Sequence, residues 1–576
     1  MFKPLSFSLF ILIMSLSIVV KAQDCNCDFT ITPDNALGGY DPNNIEDLMN
    51  IKGGDTICIK GGTYNTRMMF LNFVGEPGNP IVFINCKGKA IYETGHEIFG
   101  INFKSSKHVR LTGSGDPAVK YGIKIADTDN GSGVSFNDLC SDFEIDHLEV
   151  ANTGFAGIVA KTDPTCEPAT WQQNFTMKNV SIHDNYVHDT HGEGFYIGFT
   201  GYSGKERNCD GNITLVKAHY IDNLKVYNNI TENTGWDGIQ VSMARNNCEI
   251  YGNVVKNYGV GQNNGQDHGI IIGGGTRGKL YNNQILEGRG YGIAMFGSGD
   301  NWVFNNVIYK SGVDGIFIRD VSSEDINNGY HFINNTIVYP GVNEIISNGI
   351  RFYGEYKSKG NEFINNLVVI SKEKYNHYKE SYNRLTTDDA FIYIRQLLNE
   401  PPVDATLSNN KYFVDYDSVG FVNPDNLNFS ISQNSPAINE GKDVSNYGIN
   451  FDLAFNSRPD TTTMLFDVGA FEFGTGSFTP PFTDPSKINK SMIIFPNPLF
   501  NSNTGNIEIV FEENVDISIK LYDVNGRLNN IFIDNKKYAS GKHTIPFEIN
   551  EKLNAGLYIL VCETNNKVRT AKLVVN

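Results

Sequence analysis

The stretch NNQILEGRGYGIAMFGSGDNWVFNNVIYKSGVDGIFI, residues 282–318, makes the same statement twice. Asn283 is followed nine residues later by Gly292, Asn306 nine residues later by Gly315, and the two copies lie 23 residues apart. After each glycine, apolar residues alternate with period two (Ile293/Met295, Ile316/Ile318), the spacing that sends neighbours to opposite faces of a strand. Working outward, the asparagine recurs at Asn185, Asn229, Asn253, Asn283, Asn306, Asn335, Asn366 and Asn410, with gaps of 44, 24, 30, 23, 29, 31 and 44 residues. The glycine recurs at Gly157, Gly194, Gly238, Gly269, Gly292, Gly315 and Gly349. Four coils keep the nine-residue spacing, whereas 16 residues follow Asn253 and 14 follow Asn335, so loops are inserted there. Units of this length cannot bury an apolar face alone and share one core by stacking. The expected fold is all-β: a parallel β-helix, right-handed because parallel crossovers almost always are. The repeated asparagines then form an internal ladder from coil to coil.

Composition agrees. Charged residues make up 19% of the 576 residues and Gly accounts for 57 positions, a balance suited to short strands and tight turns. The formal charge of −17 disfavours nucleic acid and anionic membrane as partners. Residues 1–22 read as a signal peptide, with Lys3, an apolar run from Leu5 to Val20 and a small-residue cleavage site ending at Ala22. No later run is long enough to span a membrane. Nine cysteines follow, so in an oxidising compartment at least one stays unpaired. Cys562 is the expected free thiol, and Cys166 and Cys209, flanking a loop insertion, are an expected pair.

The phrase GGDTICIKGGTY (53–64), preceded by the amphipathic NNIEDLMNIK (43–52), resembles the N-terminal cap of secreted pectate-lyase-like β-helices. The likeness spans residues 28–474 and identifies the fold better than the substrate. Residues 372–404 break the repeat, with a short helix expected around Asp388–Leu398. SPAINEG (435–441), Arg458 and DVGAFEF (467–473) resemble the closing segment of such proteins, and the Pro- and Gly-rich 475–490 reads as a linker. Residues 491–576 then carry FPNP (495–498), IKLYDVNGR (519–527), GLYILV (556–561) and KLVV (572–575), the pattern of a small β-sandwich. Those phrases resemble the C-terminal sorting domain of the type IX secretion system, which implies export to the surface or medium, with that machinery as a partner.

In a solenoid, stacked columns define the sites. The residue before each column glycine reads Ala156, Glu193, Asp237, His268, Tyr291, Asp314 and Asn348, a turn position expected at or near the surface. Glu193, Asp237 and His268 fall in successive coils, where two carboxyls and an imidazole shift one another's proton affinities as acid/base catalysis requires. These three are the expected catalytic residues. The bland alternative is that polar residues simply solvate a turn. NTGWDGIQV (233–241) and DHGIIIGGG (267–275) also resemble phrases of polygalacturonases, which share the fold. That likeness matches Asp237 and His268 to active-site positions, but the tandem aspartate pair and the RIK phrase of those enzymes are missing here. Tyr196, Trp236, Gln240, Tyr291, Asp314, Arg319 and Arg351 are the expected substrate-binding residues, and Phe317 could add a further stacking platform. The stretch 183–193 (HDNYVHDTHGE) has metal-ligand types, but alternation in a strand argues against convergence. Calcium stays open as a cofactor, because lyases of the β-helix class neutralise a uronate carboxylate with calcium or arginine. The expected function is that of an extracellular polysaccharide-degrading enzyme, hydrolase or lyase; the alternative is a glycan-binding or adhesin-like surface protein. Insertions at 199–220 and 257–267, expected to wall a groove, favour the enzyme.

Overall fold

A computed structural model describes residues 25–474 except 298, 321–327, 345, 355–357, 382–386, 396–401 and 461–462. It also describes residues 492–575 except 496–498, 500–503, 512–514, 524–526, 539–540, 550–552, 555 and 565–567. The signal stretch and the linker thus lie outside the described residues.

Each regular coil contributes three short strands to three parallel sheets. One coil runs through Cys248–Tyr251, Val254–Lys256 and Ile270–Ile272, the next through Gly278–Tyr281, Gln284–Leu286 and Ile293–Met295. Pairing is parallel and in register: Ile270 faces Ile293, which faces Ile316, and the third sheet alone stacks twelve strands. The period-two residues Ile239/Val241, Ile270/Ile272, Ile293/Met295 and Ile316/Ile318 all point into one continuous core.

The corner between the first and second sheets takes two residues. The first adopts a left-handed backbone, as at Asn228, Asn282 and Asn305, and the second is the ladder asparagine. Each ladder asparagine donates its Nδ2–H to the next coil's asparagine Oδ1 at 2.9–3.0 Å, unbroken from Asn185 to Asn410. The column glycines have an equally specific cause. A Cβ on Gly238 would sit 2.3 Å from Val255 Cγ1 and 2.6 Å from the Gly269 carbonyl oxygen. Gly238→Ala is therefore expected to cost about 1–3 kcal/mol, read as a lower urea midpoint; an unchanged midpoint would show that the corner yields freely.

The ends are closed in different ways. At the start, disulfides Cys25–Cys86 and Cys27–Cys58 tie down the N-terminal segment, and residues 43–52 form a 3-10 turn, Glu46–Leu48, that buries Leu48. The break in the repeat holds the helix Lys372–Ser381, earlier than expected; Thr387–Ala390 is a 3-10 turn and Ile392–Ile394 a strand of the third sheet. The sequence from Lys372 to Ser381 is highly polar, which hid a helix that packs on the core through Tyr375 and Tyr378. Residues 419–471 fold back along the outer face of the second sheet, packing Phe429, Ile431, Val468 and Phe471 on Leu286, Val307, Val338 and Leu367. Arg458, buried, anchors that segment through an ion pair to Glu472 at 3.0 Å and a hydrogen bond to the Gly469 carbonyl.

The C-terminal module comprises antiparallel sheets of three and four strands around Ile507, Ile519, Leu560 and the free Cys562. Cys166 and Cys209 are disulfide-bonded, and Cys140 and Cys248 are also free and buried. No helix of the described residues is long and apolar enough to cross a membrane.

Candidate functional site

The coil-to-coil register sets the column residues side by side. Gly194 N–H donates to the Asp237 carbonyl at 3.0 Å and Gly238 N–H to the His268 carbonyl at 2.9 Å, so Glu193, Asp237 and His268 occupy three directly adjacent coils. One expectation fails: the column is not at the surface. Glu193, Asp237, Asp314 and Asn348 are fully buried and His268 is 4% exposed. The inserted loop at 257–267 stacks on this corner as the coils before it do. Gly259, Val260 and Gly261 donate backbone N–H groups to the carbonyls of Trp236, Thr234 and Gly235, so the loop lies flat on the neighbouring coil.

Burial without partners sets the electrostatics. Asp237 Oδ1 accepts the His268 backbone N–H at 2.7 Å, while its Oδ2 has no hydrogen-bond partner. Desolvation, with Glu193 and Asp267 adding repulsion, raises its proton affinity well above the usual carboxyl range. Desolvation also pushes Glu193 up to about 7, opposed by its own backbone N–H and by Lys161; neither oxygen bonds elsewhere. His268 is driven down to about 4 by burial, so its ring is neutral. Its Nδ1 lies 3.4 Å from Asp267 Oδ1, a close approach that is not a hydrogen bond. Gln240, at the outer centre of its strand and in register between Tyr196 and Ile271, is buried with Nε2 unpartnered.

Aromatic rings frame this patch. The Phe155 ring stands edge-on to Tyr196 at 6.0 Å and to Trp236 at 5.7 Å, and Lys161 Nζ sits 4.4 Å over the Tyr196 ring. Tyr291 lies between His268, at 5.0 Å, and Phe317, stacked at 4.5 Å. Two coils on, Asp314 accepts from Asn348 N–H and pairs with Arg351 at 2.9 Å; burial raises its carboxyl to about 7. Arg319 is exposed at the end of the strand Ile316–Arg319. The ten expected residues thus follow the third sheet and the corner that leads into it, with Tyr291 between an acid-rich half and an arginine-bearing half.

Two openings flank the band at the corner between the second and third sheets. One, ≈ 810 Å³, is lined by Tyr258, Asp267, Arg289, Lys310 and Glu344 among others; the other, ≈ 450 Å³, by Asp129, Asp189, His191 and Asn233. Val260 lines both, so the inserted loop walls the corner. Asp267 and Arg289, paired at 3.2 Å, line the larger opening and were not among the expected site residues. Asp267 stands next to a column residue in the DHG phrase, and that adjacency was the available signal.

The 183–193 stretch does not converge on a metal. His183 is buried between Asp184 and Glu144, which raise it to about 10; His188 pairs with Asp189, and His191 is exposed. Glu144, Asp146 and His183 do bring ligand atoms within 4.8 Å of one another, but Arg110 Nε already lies 3.0 Å from Glu144 and 2.8 Å from Asp146.

Comparison with known proteins agrees with this architecture. Residues 221–381 match the family described as the right-handed beta helix region, and residues 493–576 the secretion system C-terminal sorting domain. No curated protein matches this sequence. Among solved structures, the pectate lyase Pel9A is 13% identical, covering 77% of this protein and 96% of its own length at a TM-score of 0.40. The lacto-N-biosidase of family GH136 from Eubacterium ramulus is 12% identical, covering 67% and 68% at 0.39. The PL6 polysaccharide lyase Pedsa3628 from Pseudopedobacter saltans is 15% identical, covering 72% and 98% at 0.37. The protein is a right-handed parallel β-helix with a type IX secretion-system sorting domain at its C-terminus, exported to the cell surface or released from it.

Proposed function

We propose that this is an extracellular polysaccharide-degrading enzyme acting along the outer face of the third sheet, with Asp237 and Glu193 as its acid/base pair. The observation that carries the reading is the stack of two buried carboxyls on adjacent coils, both held toward the protonated form and both with unpartnered oxygens. Structural carboxylates buried for stability are normally saturated with hydrogen bonds; these are not. Burial raises both carboxyls, so one of the pair can hold a proton as general acid while the other serves as base or nucleophile. Adjacent coils separate them by ~4.8 Å along the backbone, closer to the spacing of retaining glycosidases than of inverting ones. Neutral His268 completes the stack as a hydrogen-bonding group, and Trp236, Tyr196 and Gln240 would hold the sugar.

The second reading, a glycan-binding surface protein, is favoured by the complete burial of Asp237 and Glu193, since a binder could use the corner openings alone. Incubation with neutral and acidic polysaccharides, with and without chelator, separates them. New reducing ends without 235-nm absorbance are expected; that absorbance would instead mean a lyase, and its loss with chelator a calcium-dependent one. Binding with no cleavage of any glycan would leave the surface protein.

A further inference from the structure

Two side chains of the C-terminal module are covered although they point away from its own core. In the strand Thr504–Phe511, Ile507, Ile509 and Phe511 pack inward, so Asn506 faces out, yet it is only 6% exposed. In Val568–Val575, Leu573 packs inward and Lys572 faces out, yet burial lowers the proton affinity of Lys572, with Asp452 opposing. The two strands belong to different sheets of the module. What covers both side chains is the solenoid. Asn506 Nδ2–H donates to the Pro117 carbonyl. Lys572 Nζ donates to the Ala454 carbonyl at 2.8 Å and stands 5.0 Å from the centre of the Phe455 ring.

The receiving surface is fixed by the solenoid itself. The turn from Asp452 to Phe455 is closed by Phe455 N–H on the Asp452 carbonyl at 3.1 Å, and Asn305, at a corner of the coils, holds the Phe451 carbonyl at 2.7 Å. Beneath the turn, the buried carboxyls of Asp452, Asp467 and Glu472 gather around one buried cation, Arg458. Three carboxyls against one guanidinium leave this spot short of positive charge, and Lys572 brings one. The exposed ring of Phe455 gives the ammonium an aromatic face as well. Net charge favours the same approach. Residues 491–576 hold nine acidic and nine basic residues, so the excess behind the formal −17 lies outside the module.

We propose that the turn at 452–455 and the loop at Pro117 form a docking surface for this chain's own sorting module, which Lys572 and Asn506 seat there at two points. Contacts from two different sheets fix an orientation, where one contact would leave a pivot. The module is then a packed part of the exported protein and not a free tail, and the surface around Lys572 and Asn506 is closed to any other partner while it is docked. The docking is independent of the glycan reading, since neither contact touches the third sheet.

Cross-linking within the full-length protein tests it. The cysteine pair Ser457→Cys/Thr570→Cys flanks the Lys572 contact with two exposed positions. The pair Ile213→Cys/Thr570→Cys joins the same module residue to the exposed hairpin of Lys205–Cys209 and Asn212–Val216, at the corner between the third and first sheets. The native free thiols Cys140, Cys248 and Cys562 are buried, so a bis-maleimide joins the introduced ones. A protease site placed within residues 475–490 is then cut, and the fraction of the two pieces still joined is read on a denaturing gel. A docked module should join through the first pair at least about tenfold more than through the second, whereas a free tethered one meets both at similar effective concentration. Lys572→Glu should bring the first yield down to the second, and Lys572→Arg, which keeps the charge, should retain most of it. Similar yields from the two pairs, or a first yield untouched by Lys572→Glu, overturn the docking. The comparison of the two pairs uses native Lys572, so it decides the matter if Lys572→Glu unfolds the module.

Discussion

Asp237→Asn should reduce glycan cleavage by roughly 10²–10⁴-fold while leaving the solenoid folded, with a stability advantage over wild type that is already present at neutral pH and grows as pH rises. Asn is the same shape, is neutral, and keeps an oxygen that can accept the His268 N–H now bonded to Asp237 at 2.7 Å. What it lacks is the transferable proton. The pH argument follows from linkage. Burial raises the folded-state proton affinity of Asp237 far above that of the unfolded state. The folded state therefore binds more protons, and its advantage is fully present below the unfolded pKa of about 3.9. That advantage is lost progressively as pH rises toward the folded value. Asparagine removes this titration, so the variant's thermal midpoint should exceed the wild type's increasingly from pH 5 to pH 9. Glu193, raised to about 7, titrates within the same window and gives Glu193→Gln an effect of the same sign. Retained cleavage in Asp237→Asn would remove this residue from the chemistry. A variant that loses both activity and stability would instead identify Asp237 as a structural residue.

Asn283→Ala is the expected largest loss of stability. The Asn283 amide donates to Asn306 Oδ1 at 3.0 Å and to the Ile250 carbonyl at 2.9 Å, and accepts the backbone and side-chain N–H groups of Asn253, both at 3.0 Å. Truncation strands several of these groups in a corner that is fully buried, where water cannot replace the partner. Each stranded group costs about 1–3 kcal/mol, so the total is roughly 3–6 kcal/mol. Asn410, the last rung, accepts from Asn366 and donates to the Phe363 carbonyl, but it is only partly buried. Asn410→Ala should therefore cost about 1–2 kcal/mol. Urea midpoints of the two variants against wild type check the ranking. Equal midpoints for both would mean that the ladder is decorative and the apolar core alone holds the coils.

What the sequence determined by itself is the repeat and its register. The 23-residue step, the nine-residue interval from Asn283 to Gly292 and the period-two pairs are local features. Each has a local cause: a two-residue corner with a left-handed first residue, or a glycine whose Cβ would strike Val255. Stacking identical coils turns such features into columns, so the adjacency of Glu193, Asp237 and His268 followed from counting. The sorting module was legible in the same way, through phrases at fixed positions in the last strands.

Depth was not legible. Whether a column residue faces water depends on how its corner packs in three dimensions, and nothing near Asp237 in the sequence says that its carboxyl will be fully buried with Oδ2 unpartnered. The polar helix Lys372–Ser381 was hidden for a related reason, because its sequence shows no strong apolar stripe. Nor could the sequence pair Arg351 with Asp314, or set Arg395 over Tyr353, since those contacts join coils separated by insertions of unequal length. Because proton affinity responds to solvent far more than to sequence neighbours, only the tertiary structure made Glu193 and Asp237 buried, proton-holding acids.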